Sequence, residues 1–199
     1  MQTDKISEIV YKIKELELQL RDEIQEKNKD LYCDIGNFTV FKDKVIQEQK
    51  RDVENVFKYL ANAPILFILT APIIWSVLIP AIFLDIFVTI YQAICFPVYK
   101  IEKVNRKDYI ALDRGKLKYL NIIEKFNCTY CSYFNGLIGY VAEVSSRTEQ
   151  YWCPIKHAKK INFLHSKYQY FFNYGDSADF RKNARKLRDD LKTDLTHHA

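Results

Sequence analysis

The order of polar and apolar residues divides the chain into three parts. Charged side chains recur throughout residues 1–61 and 100–199, whereas the stretch from Ala63 to Tyr99 contains a single charged residue, Asp85. A helix that spans a bilayer needs about 20 apolar residues, and this stretch is longer. The pattern therefore predicts N-terminal amphipathic helices in residues 1–61, a membrane segment in 62–99 and a cytoplasmic domain in 100–199.

Two arrangements of the membrane segment fit its length. Its prolines are better tolerated in a membrane helix than in a soluble one. In the first arrangement the segment is a helical hairpin, transmembrane or re-entrant, that turns near Pro80 to Asp85. In the second, Ala63 to Leu84 crosses once and Ile86 to Tyr99 lies along the far surface. Basic residues flank both ends. Because positive residues prefer the cytoplasmic side, this pattern favours the hairpin, with both termini cytoplasmic.

Hydrophobic periodicity predicts helices on both sides of the membrane segment. Between Lys5 and Lys29 apolar residues recur along one stripe, which is typical of an amphipathic or coiled-coil helix able to bind a protein partner. Further helices are predicted over residues 41–61, 113–127, 136–150 and 177–195. Phe38 to Phe41 is the one stretch that resembles a strand. The predicted fold class is therefore mostly α, a membrane-embedded helical hairpin followed by a helical cytoplasmic domain.

Charge is distributed unevenly along the chain. Residues 1–61 carry 11 Lys/Arg against 13 Asp/Glu, and residues 100–199 carry 19 against 11. Each basic residue close to a membrane adds about 1 kcal/mol of attraction to anionic headgroups. Nucleic acid would also suit this charge, and so would an ordinary solvated surface. Beside a membrane segment, a lipid bilayer with anionic headgroups is the favoured partner and nucleic acid is not.

Two pairs of metal-ligand residues form the clearest chemical pattern. Cys128 and Cys131 make a C-x2-C pair, and Cys153 and His157 make a C-x3-H pair. Zinc sites commonly combine two such pairs in a tetrahedral Cys3His set. A turn at the first pair and a helix beginning at Pro154 would present all four side chains to one ion. The pairs resemble a treble-clef or zinc-ribbon knuckle, a similarity confined to this short stretch. The sequence therefore predicts a zinc site at Cys128, Cys131, Cys153 and His157.

Alternatives to the zinc knuckle stay open. The same ligands suit iron or an iron–sulfur cluster, the C-x2-C pair suits a redox dithiol, and free cysteines are often simply buried. His165 lies eight residues after His157 and is either a further functional group or an ordinary satisfied histidine. Five cysteines, with no apolar signal sequence at the charged N-terminus, favour a reducing compartment.

The sequence indicates a class of role and does not identify a reaction. It contains no glycine-rich phosphate loop, serine-hydrolase elbow, zinc-protease helix motif or EF-hand loop. The predicted function is a membrane-anchored protein whose zinc-stabilised cytoplasmic domain acts in binding or assembly. The alternative is a membrane-bound iron or dithiol redox protein, or a metalloenzyme, that uses the same cluster. Asp85 is predicted to be a turn residue at the interface, with an ion ligand as the alternative.

Overall fold

The computed structural model describes residues 2–28, 32–35, 38–41 and 43–193. These residues are mostly helical, as predicted, and they include a single two-stranded antiparallel sheet. Contacts group the chain into two units. The first comprises the described residues up to Asn62 together with Asp113–Phe126, and the second comprises Ala63–Leu112 together with the described residues from Asn127 onward. Asp113–Phe126 thus belongs to the same contact unit as the described N-terminal residues.

The first unit begins with the amphipathic helix that the sequence predicts. Helix α1 spans Gln2–Asn28. Strand β1 (Tyr32–Ile35) pairs with β2 (Phe38–Phe41), the stretch that resembles a strand in the sequence. Helices α2 (Asp43–Arg51) and α3 (Val56–Asn62) replace the single helix predicted over 41–61. The break has a local cause, because the Asn55 side chain accepts the Phe57 N–H at 2.9 Å, as a capping residue does before a new helix.

The apolar segment is helical almost throughout. Helix α4 spans Ile65–Ser76 and α5 spans Leu78–Tyr99. Val77, between them, has helical backbone angles (φ −64°, ψ −19°), and its carbonyl accepts the Ala81 N–H at 3.2 Å. The 35 residues Ile65–Tyr99 are long and apolar enough to cross a membrane. The turn predicted near Pro80 to Asp85 is wrong, because Pro80 lies in the first turn of α5, where a helix tolerates proline.

Helix α6 (Ile122–Trp152) replaces the two helices predicted over 113–127 and 136–150. Its start is fixed by Asn121, whose side chain accepts the N–H groups of Ile123 and Glu124 at 3.0 Å. Glu124 in return accepts the Asn121 N–H at 2.8 Å, which completes a reciprocal capping arrangement. Helix α6 therefore begins only after Asn121. Residues 113–120, at the start of the predicted helix, form extended chain and a short 3-10 turn at Arg114–Lys116.

The core of the second unit lies where α5, α6 and the chain that follows Tyr99 meet. Lys100 has a left-handed backbone (φ 58°) and reverses the chain, so that the Ile101 N–H bonds back to Phe96 O at 2.9 Å. The buried core residues are Ala81, Phe96, Ile101, Val104, Leu137, Tyr140 and Val144. The segment that follows α5, residues 100–112, is called the returning chain below. It runs in contact with α5, so the charged side chains in 102–108 lie next to an apolar helix.

Helix α6 passes very close to the returning chain at one glycine. A Cβ atom built on Gly136 would lie 2.5 Å from Tyr109 O and 2.9 Å from Ile110 Cα. Both contacts are with backbone atoms, which cannot move aside as a flexible side chain would. Glycine at this position therefore permits the approach of the returning chain to α6.

The C-terminal helix α7 spans Ser177–Thr193 and confirms the predicted amphipathic helix, of which Leu195 lies outside the described residues. Ala184 is buried, and the Phe180 ring packs edge-on against Phe172 with centroids 5.6 Å apart. Arg188 Nε donates a hydrogen bond of 2.6 Å to Tyr151 O at the end of α6. Within the second unit, these contacts hold α7 against the end of α6 and against Phe172.

Candidate functional site

Three polar residues of α5 lie on one face of an otherwise apolar helix. Asp85, Thr89 and Gln92 are spaced four and then three residues apart, which places them along one side of a helix. Asp85 and Gln92 are buried, with 8% and 7% of their surface exposed. The other sides of α5 expose large apolar side chains, including Phe87 and Ile94. The polar stripe therefore faces the protein, and the apolar surface faces outward.

The Asp85 carboxylate is surrounded by hydrogen-bond donors. Arg106 approaches it with two nitrogens, Nε at 3.0 Å from Oδ1 and Nη2 at 2.6 Å from Oδ2. The Tyr133 hydroxyl donates to Oδ2 at 2.9 Å. A two-nitrogen contact of this kind fixes the relative orientation of guanidinium and carboxylate, as well as neutralising their charge. The interaction joins α5, α6 and the returning chain at a single point.

The backbone around Arg106 places its guanidinium at this position. Arg106–Asp108 form a 3-10 turn whose first residue follows Asn105, and Asn105 Oδ1 accepts the Lys107 N–H at 3.3 Å. The hydrogen bond to the Asp85 carboxylate raises the pKa of Arg106 above its ordinary value, so the cation is retained. Burial raises the pKa of the Tyr133 phenol, and the hydrogen bond to Asp85 raises it further. Tyr133 is therefore a neutral donor at physiological pH.

Gln92 binds the returning chain through its amide group. Its Oε1 accepts the Val104 N–H at 2.9 Å, and its Nε2 donates to Val104 O at 3.1 Å. The same Nε2 lies 2.6 Å from the hydroxyl of Tyr140, which is fully buried. Thr89 connects this group to Asp85, with 3.4 Å between its hydroxyl and both the Tyr140 hydroxyl and Asp85 Oδ1. One continuous polar network thus extends along α5.

The ends of α5 and α6 meet in an aromatic cluster. Tyr99 stacks on Tyr151 with ring centroids 5.2 Å apart, and it meets Trp152 edge-on at 5.3 Å. Tyr91, two turns earlier on α5, is hydrogen-bonded to Thr148 at 3.0 Å. Together with the Asp85 network, this cluster fixes α5 to α6 along much of their common length.

The network is suited to holding elements together. The carboxylate charge of Asp85 is matched by a guanidinium, and both of its oxygens accept hydrogen bonds. Buried polar groups that satisfy one another in this way stabilise one arrangement of the surrounding elements. Asp85 lies within α5 and is not the turn residue that the sequence predicts.

The two predicted metal-ligand pairs lie on different parts of the second unit. Cys128 and Cys131 belong to α6, so the predicted C-x2-C turn is wrong. Cys153 follows the last residue of α6, and the helix from Cys131 to Trp152 extends about 32 Å at 1.5 Å per residue. Four ligands of one zinc ion lie about 2.0–2.3 Å from the metal, so this helix keeps the two pairs apart.

The second pair also differs from its prediction. Cys153 and His157 are exposed, and no helix begins at Pro154, because the chain is extended where Ile155 bridges to Phe172. The His157 N–H donates to the Tyr168 hydroxyl at 2.7 Å. His165 instead pairs with Glu149, with 3.0 Å from Nε2 to Oε2. Among the described residues no group of three or more His, Cys, Asp or Glu is placed to hold a metal ion. The described residues therefore do not show the predicted Cys3His knuckle.

Glu143 and Arg147, four residues apart on α6, form an ion pair with 2.9 Å between Arg147 Nε and Glu143 Oε1. Arg147 also donates from Nη1 to Glu102 O at 2.8 Å, so the pair contributes to fixing the returning chain on α6. This role is structural.

Comparison of the chain with protein-family models, with curated proteins and with solved structures gave no significant match.

Sequence reasoning identified Asp85 but missed the residues around it. Arg106, Tyr133 and Tyr140 are distant in sequence and carry no motif, so their contribution depends on the fold. Thr89 and Gln92 did carry a signal. Polar residues four and seven positions after Asp85, in an otherwise apolar block, indicate a helix face that packs against protein.

Proposed function

We propose that the protein is a membrane-anchored protein that acts in binding or assembly. The observation that carries the proposal is the outward apolar surface of Ile65–Tyr99. Of the 18 consecutive residues that are most apolar, only 6% are buried. A helix with this exposure needs a surrounding that water does not provide, and a contiguous exposed apolar surface of this kind marks a contact with membrane or protein. The alternative of a soluble core helix is disfavoured for the same reason.

The contacts of the second unit support a structural role for the anchor. The Asp85 network and the aromatic cluster at Tyr99 fix α5 to α6 and to the returning chain. The anchor and the domain next to it are thus joined by packing as well as by the chain. An element held in this way can present a surface at a constant position relative to the membrane.

Helix α1 offers a surface for a protein partner. Its apolar side chains remain exposed, and Ile9, Ile13, Leu16 and Leu20 follow one another at spacings of four, three and four residues. This spacing is that of a coiled-coil seam, into which a partner helix inserts its own apolar residues. The proposed partner is therefore an amphipathic helix, and the proposed role of α1 is assembly.

Placement of both flanks of the anchor in the cytoplasm is supported by charge and thiols. Lys50, Arg51 and Lys58 precede the apolar segment, and Lys100, Lys103 and Arg106 follow it. Basic residues at membrane borders prefer the cytoplasmic side. Cys95, Cys128, Cys131 and Cys153 are free thiols, which a reducing compartment preserves.

A metal-dependent role stays a separate prediction. It rests on the spacing of Cys128, Cys131, Cys153 and His157 in the sequence, and the alternative of an iron or dithiol redox protein rests on the same residues. The described positions of these residues do not bring all four to one site, so they add no support to either prediction.

A pair of matched substitutions tests the membrane anchor. Phe87 and Phe163 have the same exposed fraction, 67%, but only Phe87 lies in the apolar helix. A lysine in the hydrocarbon region of a bilayer costs up to about 2.5–3.5 kcal/mol, and each 1.4 kcal/mol changes an equilibrium about tenfold. We expect Phe87→Lys to move protein from the membrane fraction into the soluble or degraded fraction, and Phe163→Lys to leave it in membranes.

The measurement is the distribution of the full-length chain between membrane and supernatant after a high-salt wash, with detergent release as the positive control. Retention of the wild-type chain under salt, together with loss of Phe87→Lys alone, supports the anchor. Wild-type protein in the supernatant, or equal behaviour of the two lysine variants, would contradict it.

A further inference from the structure

The chain enters and leaves the apolar helix from the same unit. The first unit ends at Asn62 and resumes at Asp113. Within that unit the Lys118 N–H donates to Gln49 Oε1 at 3.0 Å, so residues before and after the apolar helix are in contact. Two residues in direct contact lie on the same side of any membrane. The chain between them must therefore cross a bilayer an even number of times, or not at all.

The chain that returns from the helix is unsuited to crossing. Of the 13 residues from Lys100 to Leu112, six are charged. Charged side chains and non-helical backbone are both costly in a lipid interior. A single crossing by the apolar helix would need a second crossing by this segment, and the charge of the segment excludes it.

The helix also does not turn back on itself. Val77 has helical angles, and α5 continues without interruption through Pro80 and Asp85 to Tyr99. Two crossings by Ile65–Tyr99 would require a reversal of direction that helical backbone does not provide. With one and two crossings both excluded, the remaining arrangement has no crossing.

The dimensions and the sidedness of the helix agree with this. The 35 residues extend about 52 Å at 1.5 Å per residue. Confining them to a core of about 30 Å would require a tilt of about 55°, beyond the usual range of about 0–40°. Lying flat, a helix about 10–12 Å wide fits within one leaflet. Helix α5 packs one face against the domain and exposes apolar side chains elsewhere, as expected of a helix that lies in one leaflet beneath a domain.

We propose that Ile65–Tyr99 is a monotopic anchor that lies within one leaflet of the bilayer, with its flanks on the same side. The outward face of α5 meets acyl chains through Ile86, Phe87, Ile90 and Ile94, all of which are exposed. The stripe of Asp85, Thr89 and Gln92 faces the domain on the headgroup side. The proposal rests on the membrane anchoring proposed above and specifies its lipid partner as the acyl chains of a single leaflet.

Trypsin cleavage of the unmodified full-length chain tests the sidedness. Lys58 and Lys103 flank the apolar helix, and both are exposed. We expect trypsin added outside intact cells to cut at neither residue, and trypsin added to sealed inside-out vesicles to cut at both, as read by mass spectrometry. Cleavage at one of the two in each preparation would overturn the proposal. Protein that washes off with salt would instead contradict the membrane anchor itself.

Depth measurements separate a flat helix from any crossing helix. Ile68, Ile79 and Ile90 are exposed, and their 11-residue spacing returns to nearly the same face of a helix. Each is replaced by tryptophan in a Trp75→Phe, Trp152→Phe background, and quenching by lipids brominated at different acyl positions gives its depth. We expect the same depth at all three. A deeper Ile79→Trp than the other two would show a crossing helix and overturn the proposal.

Discussion

Asp85 is the one charged side chain between Ala63 and Tyr99, and its surroundings determine its role. Its side chain is 12% exposed, whereas that of Arg106 is 42% exposed. The ion pair therefore lies at the border between the protein interior and its surroundings. Interactions of a partly exposed pair are screened, and their contribution to stability is smaller than that of a fully buried pair.

Removal of either partner should destabilise the second unit moderately. We expect Asp85→Asn and Arg106→Gln each to lower the free energy of unfolding by about 1–2 kcal/mol, because the remaining group loses its partner. The double variant should lower the free energy of unfolding by less than the sum of the two single effects, because the Asp85–Arg106 interaction can be lost only once. Denaturant unfolding of the detergent-solubilised chain measures all three. Strict additivity would show that the two groups do not interact.

Tyr133 is expected to make the stability of the fold depend on pH in the alkaline range. Burial and the Asp85 hydrogen bond raise the pKa of its phenol above the ordinary value of about 10. A group whose pKa is raised on folding contributes stability that is present below the unfolded pKa and is lost as pH rises through the folded pKa. We therefore expect stability to fall above about pH 10, and less steeply in Tyr133→Phe, when unfolding is followed across this range. Identical slopes in the two proteins would contradict the assignment.

Among the elements, helices α1 and α7 were predicted well, whereas the bounds of the helices between them were predicted poorly. Helices α1 and α7 have charged and apolar residues in regular alternation, which is a local signal. Helix α6 contains Asn127, Cys128 and Ser132, residues that favour turns by themselves, and its continuity depends on packing against α5. The prolines of the apolar segment likewise suggested a reversal, yet Pro80 lies where a helix accommodates proline.

The candidate site was predictable only in part, for the same reason. The polar stripe on α5 could be read from spacing, whereas Arg106 and Tyr133 reach it by folding of distant chain. The metal prediction depended on a local turn at Cys128 and a local helix after Cys153. Both local structures were wrong, because the residues between them belong to one long helix.

Two glycines of α6 provide a matched test of its packing. We expect Gly136→Ala to lower stability by about 1–3 kcal/mol, because its new Cβ would meet the backbone of Tyr109 and Ile110. In Gly139→Ala the new Cβ would meet only the Tyr109 side chain, at 3.3 Å, so the higher helix propensity of alanine should dominate. Unfolding midpoints of the two variants measure the contrast, and a loss of stability equal in both would contradict the close approach at Gly136.

For the whole molecule, separation of the two cysteine-containing pairs makes a definite prediction about metal. Because about 32 Å of helix lies between Cys131 and Cys153, any zinc or iron at Cys128 and Cys131 should be independent of Cys153. Mass spectrometry of the metal content, on protein purified without chelator, should give the same value for the wild type and Cys153→Ala. Loss of metal in both Cys153→Ala and Cys128→Ala would contradict this expectation and support the four-ligand site.

The whole chain contains two tryptophans, Trp75 and Trp152. Trp152 packs edge-on against Tyr99 at the end of α5 and against Tyr151 on its own helix. In a Trp75→Phe protein, Trp152 is the remaining tryptophan, and these two tyrosines can transfer excitation energy to it. The ratio of Trp152 emission excited through tyrosine to Trp152 emission excited directly then reports whether α5 and α6 remain together. This ratio can be followed in detergent, in vesicles or during unfolding, and no dye has to be attached.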